Sequence, residues 1–435
     1  MSRINKNISD EFRAIVLIGI LFFIFGFVTW LNSILIPYLR IACELDNFQS
    51  YLVTFAFYIA TFAMAIPSAS IIKKTGFRDA MTIGLLMMAV GAALFIPAAM
   101  TRTYSMFLFG LFVTGSGMTL LQTAANPYIS VMGPLEFAAR RISIMGVFNK
   151  TAGILSPLIL GAIILKGNEN IESHLKTLNA VERAIHLDEL AAKVILPYLA
   201  MSLILAALSV LIRFSGLPEI NLEDDSRKAS EVSSRSNIFQ FPGLVLGVIS
   251  LFLYIGVEVM AGDTIISYGI SQGIPFSEAK IFSSYTLTGM VVGYLAGIIF
   301  MPRFITQERA LQVSAILGIL FSIAAIVTNG FLSVFFIALL GFANALMWPA
   351  HWPLAIKGLG KFTGIGSSWL IMSIAGGAII PLGYGLLADA FSPKQGYWLF
   401  IPCYIFILYY AVKGHKKTEW KLSKKATTEV TMEQT

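Results

Sequence analysis

The stretch FFIFGFVTWLNSILIPY, residues 22–38, returns in altered form as FLYIGVEVMAGDTIISY, residues 252–268. Aligning the two copies places Gly26 on Gly256 and Ser33 on Asp263. The repeat predicts that the chain contains two copies of one apolar helical unit. An ionisable side chain deep in such a helix is costly and marks a functional hypothesis by default, so Asp263 is the first residue to explain.

The composition predicts a polytopic membrane protein. Of the 435 residues, 57% are hydrophobic and only 13% are charged, which is too apolar for a soluble globular chain. The first apolar segment has no small-residue cleavage site, so we expect it to remain as a span. Cys43 and Cys403 lie far apart and indicate neither a disulfide framework nor a zinc site. The net charge of +7 resides in short loops, so it reports topology and not nucleic-acid binding.

Hydropathy and length predict about twelve spans, because one crossing needs about 20 apolar residues. The predicted limits are 14–39, 50–72, 80–100, 104–128, 142–165, 194–214, 241–269, 279–301, 309–328, 331–354, 365–388 and 396–413.

The distribution of Lys and Arg predicts the orientation and the domain limits. Alternate loops are basic, as at Lys73, Lys74 and Arg78, so those loops and both termini should be cytoplasmic in a bacterial inner membrane. The Ser-rich polar stretch after the sixth span reads as a flexible linker. We therefore expect a six-helix half at 1–214, a cytoplasmic linker at 215–240, a second six-helix half at 241–414 and a cytoplasmic tail at 415–435.

Three further motifs resemble a known family. They are LNSILIPYL, LLQTAANPYISVMGP followed by FNKTAGILSPLILG, and GSSWLIMSIAGGAIIPLGYGLLAD. They resemble the fucose permease and glucose/galactose transporter branch of the major facilitator superfamily. The resemblance implies an all-α membrane protein with two pseudo-symmetric six-helix halves that rock around a midplane site. It also implies import of a hexose coupled to a cation.

Two positions depart from the fucose permease pattern. That permease has an acidic residue at the position matching Ser33 and a Glu at the position matching Gln122. Gln122 fits the glucose/galactose members better, which favours glucose or galactose over fucose. The exchange of the acid for Ser33 argues against a proton relay of the fucose permease type.

Amides and indoles inside the spans are the candidates for sugar contacts. A neutral hexose needs hydrogen-bonding groups for its hydroxyls and apolar rings for its face. Helix-to-helix hydrogen bonds, or a Trp at the membrane interface, would explain the same residues. The candidate substrate-binding residues are Asn32, Gln122, Asn126, Asn149, Asn344, Trp348 and Trp352. The i, i+4, i+7 spacing of Asn344, Trp348 and His351 predicts one helical face, and for His351 we favour a structural or gating hydrogen bond.

Glu258, Asp263 and Ser33 are the candidates for cation coupling. The two acids lie about 140° apart around a helix, so they should not form a side-by-side dyad. No basic residue stands out within the spans as a buried partner. Asp263 could hold sodium or be protonated, with sodium slightly favoured. Gly262 should allow backbone or ligand to approach closely here.

These observations predict a secondary transporter and not an enzyme. No Walker sequence is present, so an ion or substrate gradient should supply the energy. The expected partners are a small sugar, a coupling cation (Na⁺ or H⁺) and membrane lipid, without another cofactor or nucleic acid, and the chain should function as a monomer. The alternatives are a fucose or mannose permease, a uniporter or exporter of another polar solute, and, more distantly, a membrane receptor or enzyme.

Overall fold

Every regular element in the described part of the chain is helical. The computed structural model describes residues 2–131, 138–164, 175, 178–215, 237–300, 304–359 and 362–420. Within these ranges, 11 helices are long and apolar enough to cross a membrane. One of them, 47–100, has 54 residues, far more than a single crossing needs.

Gly76 divides that long helix into two crossings. Its backbone has φ 81° and ψ 172°, in a region that residues with a Cβ avoid. The chain therefore turns back at Gly76, inside the loop that carries Lys73, Lys74 and Arg78. The 11 helices thus correspond to twelve crossings, and the predicted helical fold is confirmed. The residue limits predicted for the two halves, the linker and the tail stay a prediction.

The crossings are numbered span 1 to span 12 in chain order. Spans 1 to 6 comprise Ser2–Trp30 with Asn32–Ala42; Asn47–Ala93 with Phe95–Met100 for spans 2 and 3; Tyr104–Val131; Ala138–Ile164; and Ile195–Arg213. Spans 7 to 12 comprise Pro242–Asp263 with Ile265–Ser271; Phe276–Ala279 with Phe282–Phe300; Gln307–Val327; Gly330–Asn344 with Met347–Ile356; Thr363–Met372, Ser373–Ala375 and Gly376–Ala390; and Pro393–Gly396, Tyr397–Leu399 and Phe400–Val412. A further helix, Ala180–Ala192, precedes span 6.

The repeated glycines have the same packing function in both halves. A Cβ at Gly26 of span 1 would overlap the backbone carbonyl of Asn149 in span 5. A Cβ at Gly256 of span 7 would overlap the side chain of Ile380 in span 11. Each first helix of a half therefore packs closely on the fifth helix of that half. Spans 1 and 7 are also both interrupted, after Trp30 and after Asp263.

The two halves meet at the end of the bundle opposite the termini, which we call the far end. There the Asp389 carboxylate of span 11 accepts hydrogen bonds from the backbone amides of Asn47, at 3.2 Å, and Phe48, at 2.7 Å. It also accepts one from the Asn47 side chain, at 2.5 Å. The rings of Tyr51 and Tyr384 pack edge to face, with centroids 5.4 Å apart. The structure is therefore closed at the far end.

Candidate functional site

A buried ion pair joins the two halves near the middle of the bundle. Lys150 Nζ of span 5 lies 2.7 Å from Glu258 Oε1 of span 7, and each side chain is only 10% exposed. Tyr254 donates its hydroxyl hydrogen to Glu258 Oε2. The expectation that no basic residue within the spans would pair with these acids was therefore wrong. Glu258 is compensated by Lys150, because two charges taken out of water together cost less than one charge alone.

Trp30 fills the space next to this ion pair. Lys150 Nζ lies 4.7 Å from the centroid of the indole, within range of a cation–π interaction. The ring also packs against Gly153 and Gly262, where a Cβ would collide with it. The expected close approach at Gly262 is thus made by a side chain of the opposite half. The indole Nε1 is buried and has no hydrogen-bond partner among the described residues.

Asp263 ends the first helix of span 7 and faces the other half. Its Oδ2 accepts a hydrogen bond from Thr54 Oγ1 of span 2 at 3.0 Å. The side chain is fully buried, and its Oδ1 has no partner among the described residues. Asp263 is thus a buried carboxylate with one hydrogen bond and, within those residues, no ion pair.

The candidate residues of span 1 are buried around its interruption. The Ser33 hydroxyl donates to the carbonyl of Trp30 at 2.8 Å. Asn32 is 1% exposed, and its Nδ2 has no partner among the described residues. An unpaired buried amide is costly, so this group has free capacity for a ligand.

Three further amide candidates lie in spans 4 and 5. Asn149 donates from Nδ2 to the carbonyl of Phe22 at 3.3 Å, which is a contact between helices of one half. Gln122 is half-buried. Asn126 belongs to the helix of span 4, but its side chain lies outside the described residues. The proposed sugar contacts of these three amides stay predictions.

Span 10 is interrupted between the candidates that were expected to share one face. Its first helix ends at Asn344 and its second begins at Met347, so Asn344 and Trp348 do not lie on one continuous helix. The expectation that Asn344, Trp348 and His351 share one face stays a prediction, because the i, i+4, i+7 rule assumes unbroken helical geometry. Asn344 accepts a hydrogen bond from the Tyr404 hydroxyl at 2.9 Å and leaves Nδ2 without a partner among the described residues. Trp348 and Trp352 are half-buried, with ring centroids 5.7 Å apart.

His351 is fixed within the second half. Its Nδ1 lies 2.9 Å from the carbonyl of Met347, and its Nε2 lies 2.7 Å from Ser250 Oγ. A carbonyl can only accept, so Nδ1 carries the hydrogen and a neutral ring accepts from Ser250. The ring stacks between Tyr254 and Tyr410. These contacts agree with the structural hydrogen bond expected for His351.

The geometry brings Asp263 and Glu258 to the junction of the halves, together with residues that sequence reasoning missed, whereas the hydrogen bond of Ser33 lies within span 1. The signal for Lys150 was present in the motif FNKTAGILSP, where a charged residue stands inside a predicted span. Such a residue deserves the same attention as a buried acid. Among the described residues, no group of three or more His, Cys, Asp or Glu side chains could hold a metal ion.

Comparisons with known proteins agree with this architecture. The family model of the Major Facilitator Superfamily matches residues 18–380. The chain is 33% identical over 406 residues to the glucose/galactose transporter of Brucella abortus, covering 93% of this chain and 94% of that protein. It is 30% identical over 379 residues to the L-fucose-proton symporter of Escherichia coli strain K12, covering 85% of each.

A solved structure has the same fold. The crystal structure of the transporter FucP in the outward conformation superposes with a TM-score of 0.71 and 26% sequence identity, over 92% of this chain and 98% of that one. The matched proteins are transporters, so this chain is a multi-pass membrane transporter and not an enzyme. It belongs to the major facilitator superfamily, in the branch of the fucose permease and the glucose/galactose transporters.

Proposed function

We propose that this protein imports a hexose by cation symport with alternating access, and that glucose or galactose is the substrate. The observation that carries the proposal is the buried Asp263 at the junction of the halves, within a chain 33% identical to a glucose/galactose transporter. A fucose or mannose permease is the alternative within the same branch, supported by the similarity to the L-fucose-proton symporter. A uniporter or exporter of another small polar solute is the alternative outside it.

The contact of Asp263 with Thr54 explains how a cation would be coupled to transport. The two residues belong to different halves, so their hydrogen bond forms only when the halves approach at this depth. Burying a charged carboxylate in that contact is costly unless a cation neutralises it. A bound cation would therefore favour closure, and the empty carrier would close less readily.

The surroundings of Asp263 support a proton over sodium. Sodium, slightly favoured by sequence alone, needs several oxygen ligands, as hard cations do. Among the described residues, the hydrogen bond to the carboxylate comes from the Thr54 hydroxyl. A proton neutralises the carboxylate without additional ligands, and we therefore place it first.

The distribution of basic loops supports an assignment of the two sides of the membrane. With both termini in the cytoplasm of a bacterial inner membrane, the far end faces outward. The closed contacts of Asp389 and Tyr51 would then seal the outer side. In this conformation a sugar would leave toward the cytoplasm.

Uptake into proteoliposomes tests the proposal. Radiolabelled glucose, galactose, fucose and mannose would be offered with a sodium gradient alone, a proton gradient alone, or neither. The parent should accumulate glucose or galactose with one cation gradient. Asp263→Asn should lose accumulation but keep exchange of internal for external sugar, because the amide keeps the shape but not the charge.

Asp188→Asn is the matched control, because Asp188 is a surface acid whose side chain is 67% exposed. It should behave like the parent. Full gradient-driven accumulation by Asp263→Asn would exclude Asp263 as the coupling residue. If the parent only equilibrates the sugar across the membrane under either cation gradient, symport is excluded and the uniporter alternative remains.

A further inference from the structure

Cation coupling at Asp263 does not require the Lys150–Glu258 ion pair, although that pair places two charges in the interior of the bundle. It joins spans 5 and 7, which belong to different halves. Buried ion pairs contribute little net stability compared with apolar residues of the same volume. A stabilising role alone therefore does not explain why two charges occupy this position.

Both charged groups have unused hydrogen-bonding capacity. The ammonium of Lys150 has three donors, and one of them is directed to Glu258. Each carboxylate oxygen of Glu258 accepts one bond, from Lys150 or from Tyr254, and can accept another. The two side chains also keep 10% exposure each. Since a charge facing lipid would be very costly, this exposed part faces an internal space.

Trp30 adds an independent indication of a ligand. It is 2% exposed, and its Nε1 is a buried donor without a partner among the described residues. Its ring face already attracts the ammonium of Lys150. The ring is packed against Gly153, Gly262 and the ammonium, so the indole contributes its Nε1 donor, which suits a sugar hydroxyl beside the ion pair.

We propose that Lys150 and Glu258, with Trp30 beside them, bind two neighbouring hydroxyl groups of the sugar. A hydroxyl both accepts from an ammonium and donates to a carboxylate, and hydrogen bonds to charged groups are stronger than neutral ones. A vicinal diol therefore matches the pair, whereas a sugar lacking one of these hydroxyls leaves a charged group short of a bond. This inference rests on the proposed hexose transport and names residues that determine sugar selectivity.

Equilibrium binding of the sugar and its deoxy analogues to detergent-purified protein tests the inference. The ligands would be glucose and galactose and, for each ring position, the analogue without that hydroxyl. The parent should bind the analogues that lack either of the two hydroxyls bound by Lys150 and Glu258 about tenfold or more weakly than the intact sugar. Lys150→Gln and Glu258→Gln should bind the intact sugar about tenfold or more weakly than the parent does, and should no longer discriminate against those analogues.

A purely structural role would lower the amount of folded protein without changing the ratio between sugar and analogue. Each single variant buries one unpaired charge, so the double variant Lys150→Gln/Glu258→Gln is included to avoid that penalty. It should fold and show the same loss of discrimination. Lys280→Gln is the matched control and should keep the parent ratios, because Lys280 also lies at the junction, beside Gly161 of span 5, but is less buried.

Parent-like discrimination by the folded double variant would overturn the inference while leaving hexose transport in place. Equal binding of the intact sugar and all analogues by the parent would also overturn it. A parent that binds neither hexose would instead contradict the proposed function, so the two failures are distinguishable.

Discussion

The carboxylate of Asp389 is expected to control how often the far end opens. It caps the first helical turn of span 2 from the opposite half, through the amides of Asn47 and Phe48. Loss of an N-terminal cap costs about 1 kcal/mol, and loss of the charge at the helix dipole costs about 0.3–1 kcal/mol at an exposed site. Asp389→Ala should therefore shift the closed-to-open ratio by about 9- to 30-fold.

The shift can be read as a distance between the two halves. Spin labels would be attached to cysteines replacing Val181 and Phe391, both 70% exposed and both at the far end, in a background with Cys43→Ser and Cys403→Ser. Pulsed electron paramagnetic resonance then gives the populations of the short and long distances. A parent with a closed-to-open ratio of about 9:1 should fall to about 1:1 after a tenfold shift.

Two comparisons make the result specific. Asp389→Asn should give a smaller shift than Asp389→Ala, because the amide keeps one acceptor without the charge. Asp188→Asn removes a surface acid that pairs with Arg102 within one half, so it should leave the distances unchanged. Identical distance distributions for Asp389→Ala and the parent would refute the reasoning that this cap holds the far end closed.

Two further predictions concern packing and reactivity. Gly26→Ala and Gly256→Ala should each destabilise the fold by about 1–3 kcal/mol, measured as a lower melting temperature in detergent. Gly19→Ala is the control and should keep the parent melting temperature, because its Cβ would meet Phe148 only at ordinary contact distance. Parent-like melting temperatures for Gly26→Ala and Gly256→Ala would contradict the close packing of spans 1 and 7 on spans 5 and 11. Burial raises the pKa of the Cys43 thiol from 9.0 to about 11. Because the thiolate is the reactive form, Cys43 should react with a maleimide about 100-fold more slowly near neutral pH than an exposed cysteine introduced at position 181, and its rate should rise with pH until the pH approaches 11. Labelling of Cys43 at the rate of the exposed cysteine would contradict this prediction.

Sequence reasoning was most successful where the physical cause of a structural feature lies in the same short stretch of chain as the sequence pattern. The pairing of Gly26 with Gly256 predicted equivalent helices, and each glycine indeed allows a neighbouring helix to approach. Hydropathy predicted twelve crossings because each span must bury its own backbone polar groups in hydrocarbon. These constraints act within about twenty residues of chain, so one sequence is sufficient to show them.

Partners across the interior could not be predicted in this way. Lys150 and Glu258 are separated by 108 positions, and no local periodicity relates them. Asp263 and Thr54 are likewise far apart, at 209 positions. The interruption after Asn344 was also missed, because the apolar sequence continues through it. In each case tertiary packing decides the geometry.

The buried charges at the junction have an electrical consequence. Among the described residues, Lys150 supplies one positive charge, and Glu258 and Asp263 supply two negative ones, which leaves one net negative charge. If one monovalent cation balances it, the loaded carrier crosses as a neutral body and the empty carrier returns with a charge of −1. The membrane voltage would then act on the empty return, supplying about 2.3 kcal/mol per 100 mV, or about 50-fold accumulation of sugar. Such a carrier could concentrate its substrate from voltage alone, with equal cation concentrations on both sides.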